Sequence, residues 1–197
     1  MDTAGATTTL FNDPTYSDCI VMPEDGGRWH CHKRILFAAS KLFHDEWSAS
    51  EMCEGKDEIC MDSCFSMRSV EVVLRFIYGS CEADLFEEEQ KPDWYIAICI
   101  TAWYAELPEL LEMAIRGLRQ ALNVEKSART LVCRIRWMRR EVPEMIALAD
   151  EVESERMPWM LGDDEARAIM RGDTIRAYFD RVLIMKKEDG AVKVPLR

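Results

Sequence analysis

The sequence predicts an α/β chain of the α+β type, mostly helical, with a small three-stranded sheet. Three observations point there. Two short apolar runs flank an Asp-Gly turn near the N-terminus, the pattern of a β-hairpin. A third short run, Glu58-Ile59-Cys60-Met61, follows after a polar interval. Most of the remaining chain repeats its apolar residues at helical spacing instead of alternating them.

Residues 1 to about 12 are rich in Thr, Ala and Gly and offer little to bury, so they read as a loosely held leader. Cys19-Ile20-Val21-Met22 is the first strand, Pro23-Glu24-Asp25-Gly26-Gly27 the turn, and Trp29-His30-Cys31 the returning strand. From Lys33 to Trp47 the apolar positions Ile35, Leu36, Ala39, Leu42 and Phe43 predict one amphipathic helix. Polar residues 48 to 58, with Gly55 among them, predict a loop before the third strand. Asp62 or Ser63 is then placed to cap a helix in which Val70, Val73, Leu74 and Ile77 fall at i, i+3, i+4 and i+7, and Gly79 stops it. Ile20, Leu36, Val73 and Ile77 are expected to share one interior.

An acidic stretch from Glu82 to Glu89 leads to Trp94-Tyr95-Ile96-Ala97-Ile98-Cys99-Ile100, apolar on nearly every side and therefore a buried helix. Pro108 suits the first turn of the next helix, whose stripe is Leu107, Leu111, Ala114, Ile115, Leu118 and Leu122, with Asn123 at its end. Two further helices carry Leu131, Ile135, Met138 and Val142, then Met145, Ile146, Ala149 and Val152, divided by Pro143. A break is expected at Met157-Pro158-Trp159-Met160-Leu161-Gly162. Asp163-Asp164-Glu165 opens another helix, and Asp173 is placed to cap a last one through Ile175, Phe179 and Val182.

At 197 residues the chain has room for one ordinary domain and an appendage. With 48% hydrophobic and 31% charged residues, and only 9 Gly and 7 Pro, it has the makeup of a folded protein. A formal net charge of -11 repels phosphate backbones and anionic lipid, so nucleic acid and membrane are not expected partners. The run Arg134-Ile135-Arg136-Trp137-Met138-Arg139-Arg140 goes against that charge and is read as a solvated helix face or a protein contact. Eight cysteines would suggest disulfides in a secreted chain, yet the N-terminus has no apolar signal core and no Asn-x-Ser/Thr acceptor occurs. A reducing compartment, cytoplasm or nucleus, is expected.

The residues offer little for catalysis. No G-x-G-x-x-G, G-x-x-x-x-G-K-[ST], H-E-x-x-H or G-x-S-x-G pattern occurs, so no enzymatic activity and no cofactor are expected. A zinc or thiol enzyme is the chemical alternative, resting on His30-Cys31-His32 with Cys60 and Cys64. On a strand, however, His30 and His32 share one face and Cys31 points to the other, and no C-x-x-C pair exists, which favours buried structural thiols. Clusters Glu87-Glu88-Glu89 and Asp163-Asp164-Glu165 read as solvated and as a helix start, not as calcium sites. The Trp and Met residues at 157 to 160 are core or an exposed docking patch.

Tyr16-Ser17-Asp18-Cys19-Ile20-Val21 followed by Trp29-His30-Cys31-His32-Lys33-Arg34-Ile35-Leu36-Phe37-Ala38-Ala39-Ser40-Lys41-Leu42-Phe43 resembles the BTB/POZ signature. That signature runs S-D-apolar, a turn, then aromatic-x-apolar-H-K/R-x-x-L-x-x-x-S-x-x-F. Phe76-Ile77-Tyr78 is similar to the family's second diagnostic stretch. The resemblance spans residues 15–122, leaving a leader at 1–14, a helical extension at 123–188 and a tail at 189–197. It implies a three-stranded sheet capped by helical hairpins, and a structural role for Asp18, His32, Lys33, Leu36, Ser40, Phe43 and Tyr78.

Functionally the resemblance implies a non-catalytic interaction module. Members self-associate, recruit corepressors, or link substrates to cullin-class ubiquitin ligases, so an adaptor between a cullin and a substrate, or a self-associating homo-oligomer, is expected. Cullin-holding members often carry an apolar-x-Glu motif before the third strand, which Met52-Cys53-Glu54 matches, and Tyr95 is expected on the same partner-binding face. Swapped homodimers of the family use a longer N-terminal arm than the residues before Tyr16. No kelch, MATH or zinc-finger pattern occurs, so a substrate reader would be the extension or a separate chain.

Overall fold

The computed structural model describes residues 9–54, 57–62, 64–86, 91–170 and 175, the side chains of 50–54 apart. Strands β1 (Cys19–Pro23) and β2 (Trp29–Cys31) pair antiparallel, with Cys19 opposite Cys31 and Val21 opposite Trp29. Their turn needs glycine, since Gly26 and Gly27 take φ of +108° and +91°. At Gly27 a Cβ would also sit 2.7 Å from the Trp29 ring. Strand β3 (Glu58–Met61) joins the other side of β1 in parallel, giving the order β2-β1-β3. Parallel neighbours require a crossover, and helices supply it.

That crossover differs from the sequence expectation. Instead of one helix from Lys33 to Trp47 there are two, α1 (Lys33–Ala39) and α2 (Lys41–Glu54), separated by Ser40 in an extended conformation (φ -151°, ψ 126°). Serine favours such breaks because its hydroxyl competes for backbone groups. Helix α2 then runs through residues 48 to 54, where a loop was expected, because no Gly or Pro interrupts the chain before Gly55. Leu36 and Phe43, one on each helix, are both fully buried.

Helix α3 (Met67–Ile77) is capped by Ser66, whose Oγ accepts the Ser69 N–H at 3.2 Å, and not by Asp62; Ser63 lies outside the described residues. A second cap comes from the hairpin turn, where the Asp25 carboxylate accepts the Met67 N–H at 2.8 and 2.9 Å. Gly79, at φ +88°, ends the helix as its position predicts. Leu36 and Val73 are fully buried, but Ile20 and Ile77 are only half-buried. Strand β1 turns Cys19, Val21 and Pro23 inward instead. Both parities of that strand are apolar, so the sequence pattern leaves the choice of inner face open.

A four-residue helix, α4 (Glu82–Leu85), forms within the acidic stretch; Glu87, Glu88 and Glu89 lie outside the described residues. Helix α5 (Pro92–Tyr104) buries Ile96, Ile98, Cys99, Ile100 and Ala102. Its Thr101 hydroxyl, also buried, lies 2.9 Å from both Ser69 Oγ on α3 and the Ala97 carbonyl. Helix α6 (Pro108–Asn123) turns Leu110, Ala114, Leu118 and Leu122 to the interior.

The chain divides into two compact units, Met1–Ala121 and Leu122–Arg197. The second holds α7 (Ala128–Glu141), α8 (Met145–Leu161) and α9 (Asp164–Ile169). Val142 is extended and ends α7 just before Pro143. Helix α8 continues through Pro158, where a break was expected. The proline removes one N–H bond, to the carbonyl of the exposed residue Ser154, while Met157 and Met160 are buried and hold the turn in place. Asp163 caps α9 by accepting the Ala166 N–H at 2.7 Å. Asp173, Phe179 and Val182 lie outside the described residues. No helix among the described residues is long and apolar enough to cross a membrane.

Candidate functional site

The residues that carry the signature meet where β2 passes into α1. Asp18 and Lys33 do not pair side chain to side chain: the Asp18 carboxylate accepts the Lys33 backbone N–H at 2.7 Å and so satisfies an orphan donor of the first turn of α1. The Lys33 ammonium instead bonds Asp57 at 2.6 Å and lies 4.7 Å from the centre of the Trp47 ring. The His32 N–H donates to Tyr78 Oη at 2.9 Å, and the His32 Nδ1 stands 3.0 Å from the same oxygen. One phenol oxygen thus ties the helix start to the end of α3. Tyr78 is completely buried, and burial pushes its phenol up. Ser40 is buried at the break between α1 and α2, with no partner for its Oγ among the described residues.

Residues near the N-terminus complete this layer. The Asn12 side chain accepts the His30 N–H at 3.0 Å, and the Phe11 ring packs edge-on against Tyr78 with centroids 5.8 Å apart. The segment read as a loose leader therefore holds the sheet through its last residues.

Cys31 and Cys19 face the interior, and burial pushes each thiol up to about 12, so both stay protonated near neutrality. Among the described residues no group of three or more His, Cys, Asp or Glu side chains could hold a metal ion. Cys19, Cys31, Cys81, Cys99 and Cys133 are free thiols.

Of the residues expected to bind a partner, Met52, Cys53 and Glu54 form the last turn of α2 instead of a loop, and their side chains lie outside the described ones. Tyr95 lies on α5, half-buried, its ring stacked 5.7 Å from that of Phe86 and edge-on to that of Trp94 at 5.0 Å. Gly117 on α6 makes this possible, for a Cβ there would stand 2.2 Å from Tyr95 Cε1. Burial, then the Glu82 carboxylate, raises the Tyr95 phenol above its ordinary value. Sequence reasoning missed Gly117, although a glycine within an apolar helical stripe signals close packing.

The basic run has a different outcome. Arg134 pairs with Glu125, Arg129 with Glu165 at 3.1 Å, and Arg139 with both Asp150 at 2.5 Å and Glu153 at 2.6 Å. Arg156 donates to the carbonyls of Leu122, Asn123 and Glu125 at 3.4, 2.9 and 2.8 Å while its guanidinium stacks 4.3 Å from the Trp159 ring centre. These charges staple the second unit together, and Arg136 is left without a carboxylate among the described residues. Trp159 is 38% exposed while its neighbours Met157 and Met160 are core, so the stretch from 157 to 160 is mainly a packing element.

The family model described as BTB/POZ domain matches residues 8–95. The matched segment takes in the sheet, α1 to α4 and the start of α5. No curated protein matches the chain. The family is one of protein-interaction modules, and no catalytic family matches. Residues 8–95 of this chain are a BTB/POZ domain, and additional helices follow it toward the C-terminus.

Proposed function

We propose that the chain is an adaptor, a BTB/POZ body over residues 15–122 that holds a cullin-class scaffold and a helical extension over 123–188 that helps present a substrate. The contact on the cullin side would come from Met52, Cys53, Glu54 and Tyr95. The observation that carries it is the place of Met52-Cys53-Glu54, an apolar-x-Glu triplet in the helical turn just before β3 of a BTB/POZ domain. Tyr95 supports it as a half-buried aromatic fixed by packing, the kind of anchor that loses little entropy when a partner covers it. Free thiols at Cys19, Cys31, Cys81, Cys99 and Cys133 fit a cytoplasmic or nuclear setting.

The test is copurification. Wild-type chain is expected to retain a cullin, and Met52→Ala combined with Glu54→Ala to lower the retained amount by about tenfold with an unchanged melting temperature, as loss of interface anchors requires. No cullin retained by the wild type overturns the proposal.

A second reading is a self-associating scaffold or corepressor platform. It is favoured by Tyr104, 46% exposed and packed edge-on against Phe65 and Trp103, which leaves an aromatic edge in water at the end of α5. Light scattering that finds a monomer at all concentrations removes this second reading.

A further inference from the structure

A groove of about 120 Å³ runs between α3 on one side and α4 with the start of α5 on the other. Its floor is apolar: Val72 and Leu85 are buried and the Trp94 ring forms one wall. Its rim is charged, with Arg68, Glu71 and Arg75 from α3 and Asp84 from α4. Arg68, Glu71, Val72 and Arg75 stand at i, i+3, i+4 and i+7, so one stripe of α3 supplies the whole of one wall.

The rim charges are not equally available. Glu71 is held by Arg75, Nη2 to Oε1 at 3.0 Å, and the Arg75 guanidinium also stacks over the Phe11 ring at 5.6 Å. Asp84 is engaged at the start of its own helix, accepting the S–H of Cys81 at 3.0 Å and its N–H at 3.4 Å. Arg68 alone among the four has no carboxylate or other polar partner among the described residues, and it is exposed. Two engaged carboxylates, one engaged guanidinium and one unengaged guanidinium leave the groove with a single unsatisfied demand, for an anion. An apolar floor beside an unpaired arginine is matched by an apolar side chain followed closely by a carboxylate.

We propose that this groove is a docking site for a short peptide segment of a partner protein, one that lays an aliphatic side chain on Val72, Leu85 and Trp94 and brings a neighbouring Glu or Asp carboxylate to Arg68. Glu71 and Asp84 restrict the occupant to a single anionic charge, since a dianion would meet them at close range. The groove includes none of the residues proposed for the cullin contact, although its Trp94 wall touches Tyr95, and it gives the BTB/POZ body a second recognition surface.

Titration of isotope-labelled full chain with N-acetyl-Leu-Glu-amide, followed by NMR, tests this. Expected are saturable shifts of the Trp94 indole N–H and the Arg68 Nε–H with a dissociation constant on the order of 1 mM, as a ligand so small allows. N-acetyl-Leu-Gln-amide is expected to bind about fivefold more weakly or less, and Arg68→Gln to weaken the Glu peptide to the same level, because both remove the charge-assisted hydrogen bond. Arg68 is exposed, so the substitution leaves the fold in place, which the unchanged spectrum of the remaining amides verifies. Equal binding of the two peptides, shifts confined to other residues, or no saturable shift overturns the proposal. Broadening of the Trp94 resonance with protein concentration alone, abolished by Arg68→Gln, would assign the groove to a second copy of the chain and overturn it as well.

Discussion

The two compact units are stabilised by different means. In the first, the interior is apolar; it admits the Tyr78 hydroxyl on His32 and the Thr101 and Ser69 hydroxyls on one another, while Asp18 and Asp25 hold helix N-termini from the surface. In the second, three helices among the described residues enclose an apolar seam, of which Leu131, Ile135, Met138, Met145 and Leu148 are part, and guanidinium groups tie the elements across its surface. A unit with a sheet and a buried helix can rely on area removed from water. A smaller helical unit buries less and gains from directed bonds between charges held by the same rigid frame.

The difference can be broken first in the core of the first unit. Leu36→Ala removes a fully buried side chain and is expected to cost about 3 kcal/mol, read as a lower urea midpoint that is insensitive to salt. Gly117→Ala is next, at about 2 kcal/mol, because the new methyl would have to displace the Tyr95 ring. It also sharpens the functional reading, since it disturbs Tyr95 without altering its chemistry: cullin retention is expected to fall more than the melting temperature alone explains.

For the second unit, Arg139→Ala removes one guanidinium from two carboxylates and is expected to cost about 1 kcal/mol. Hydrogen exchange of α7 and α8 amides should report it, with little change in the sheet. In roughly 1 M salt, where the screening length is about 3 Å, the difference between this variant and the wild type is expected to shrink, unlike that of Leu36→Ala.

The smallest effect concerns pH. Glu46 on α2 is held above its ordinary value, first by burial and then by the Asp62 and Asp45 carboxylates. A raised value in the folded state means that folding favours the protonated form, so this contribution to stability is present in acid and is lost as pH rises through the shifted value. Glu46→Gln is therefore expected to stabilise the chain at neutral pH by about 0.3 kcal/mol, kept small because solvent screens a half-buried group, and to have no effect near about pH 3. A calorimetric series across that range checks the sign.

Much of the first unit is legible in the residues taken alone. The hairpin announces itself through Asp25-Gly26, α3 through the i, i+3, i+4, i+7 spacing that Gly79 ends, and α5 through its all-round apolarity. These signals are local, depending on φ preferences and on which face meets water. The break at Ser40 was not legible, because Leu36, Ala39 and Phe43 keep helical spacing across it and only the packing beneath reveals that two helices share the work. Of the residues proposed to bind a partner, the triplet Met52-Cys53-Glu54 could be read by its motif, yet its helical backbone could not, since nothing polar in 48 to 54 forbids either state.

The sequence by itself determined most of the element types, the hairpin turn, the absence of a known catalytic pattern and the match of residues 8–95 to an interaction domain. Tertiary structure decided the rest: the parallel pairing of β3 with β1, the inward parity of β1, the carboxylates that engage Arg129, Arg134 and Arg139, and the one rim arginine left unpaired in the groove. Each of those depends on residues far apart in the chain, and a charge or an apolar side chain has no preferred partner until folding brings one within a few ångströms.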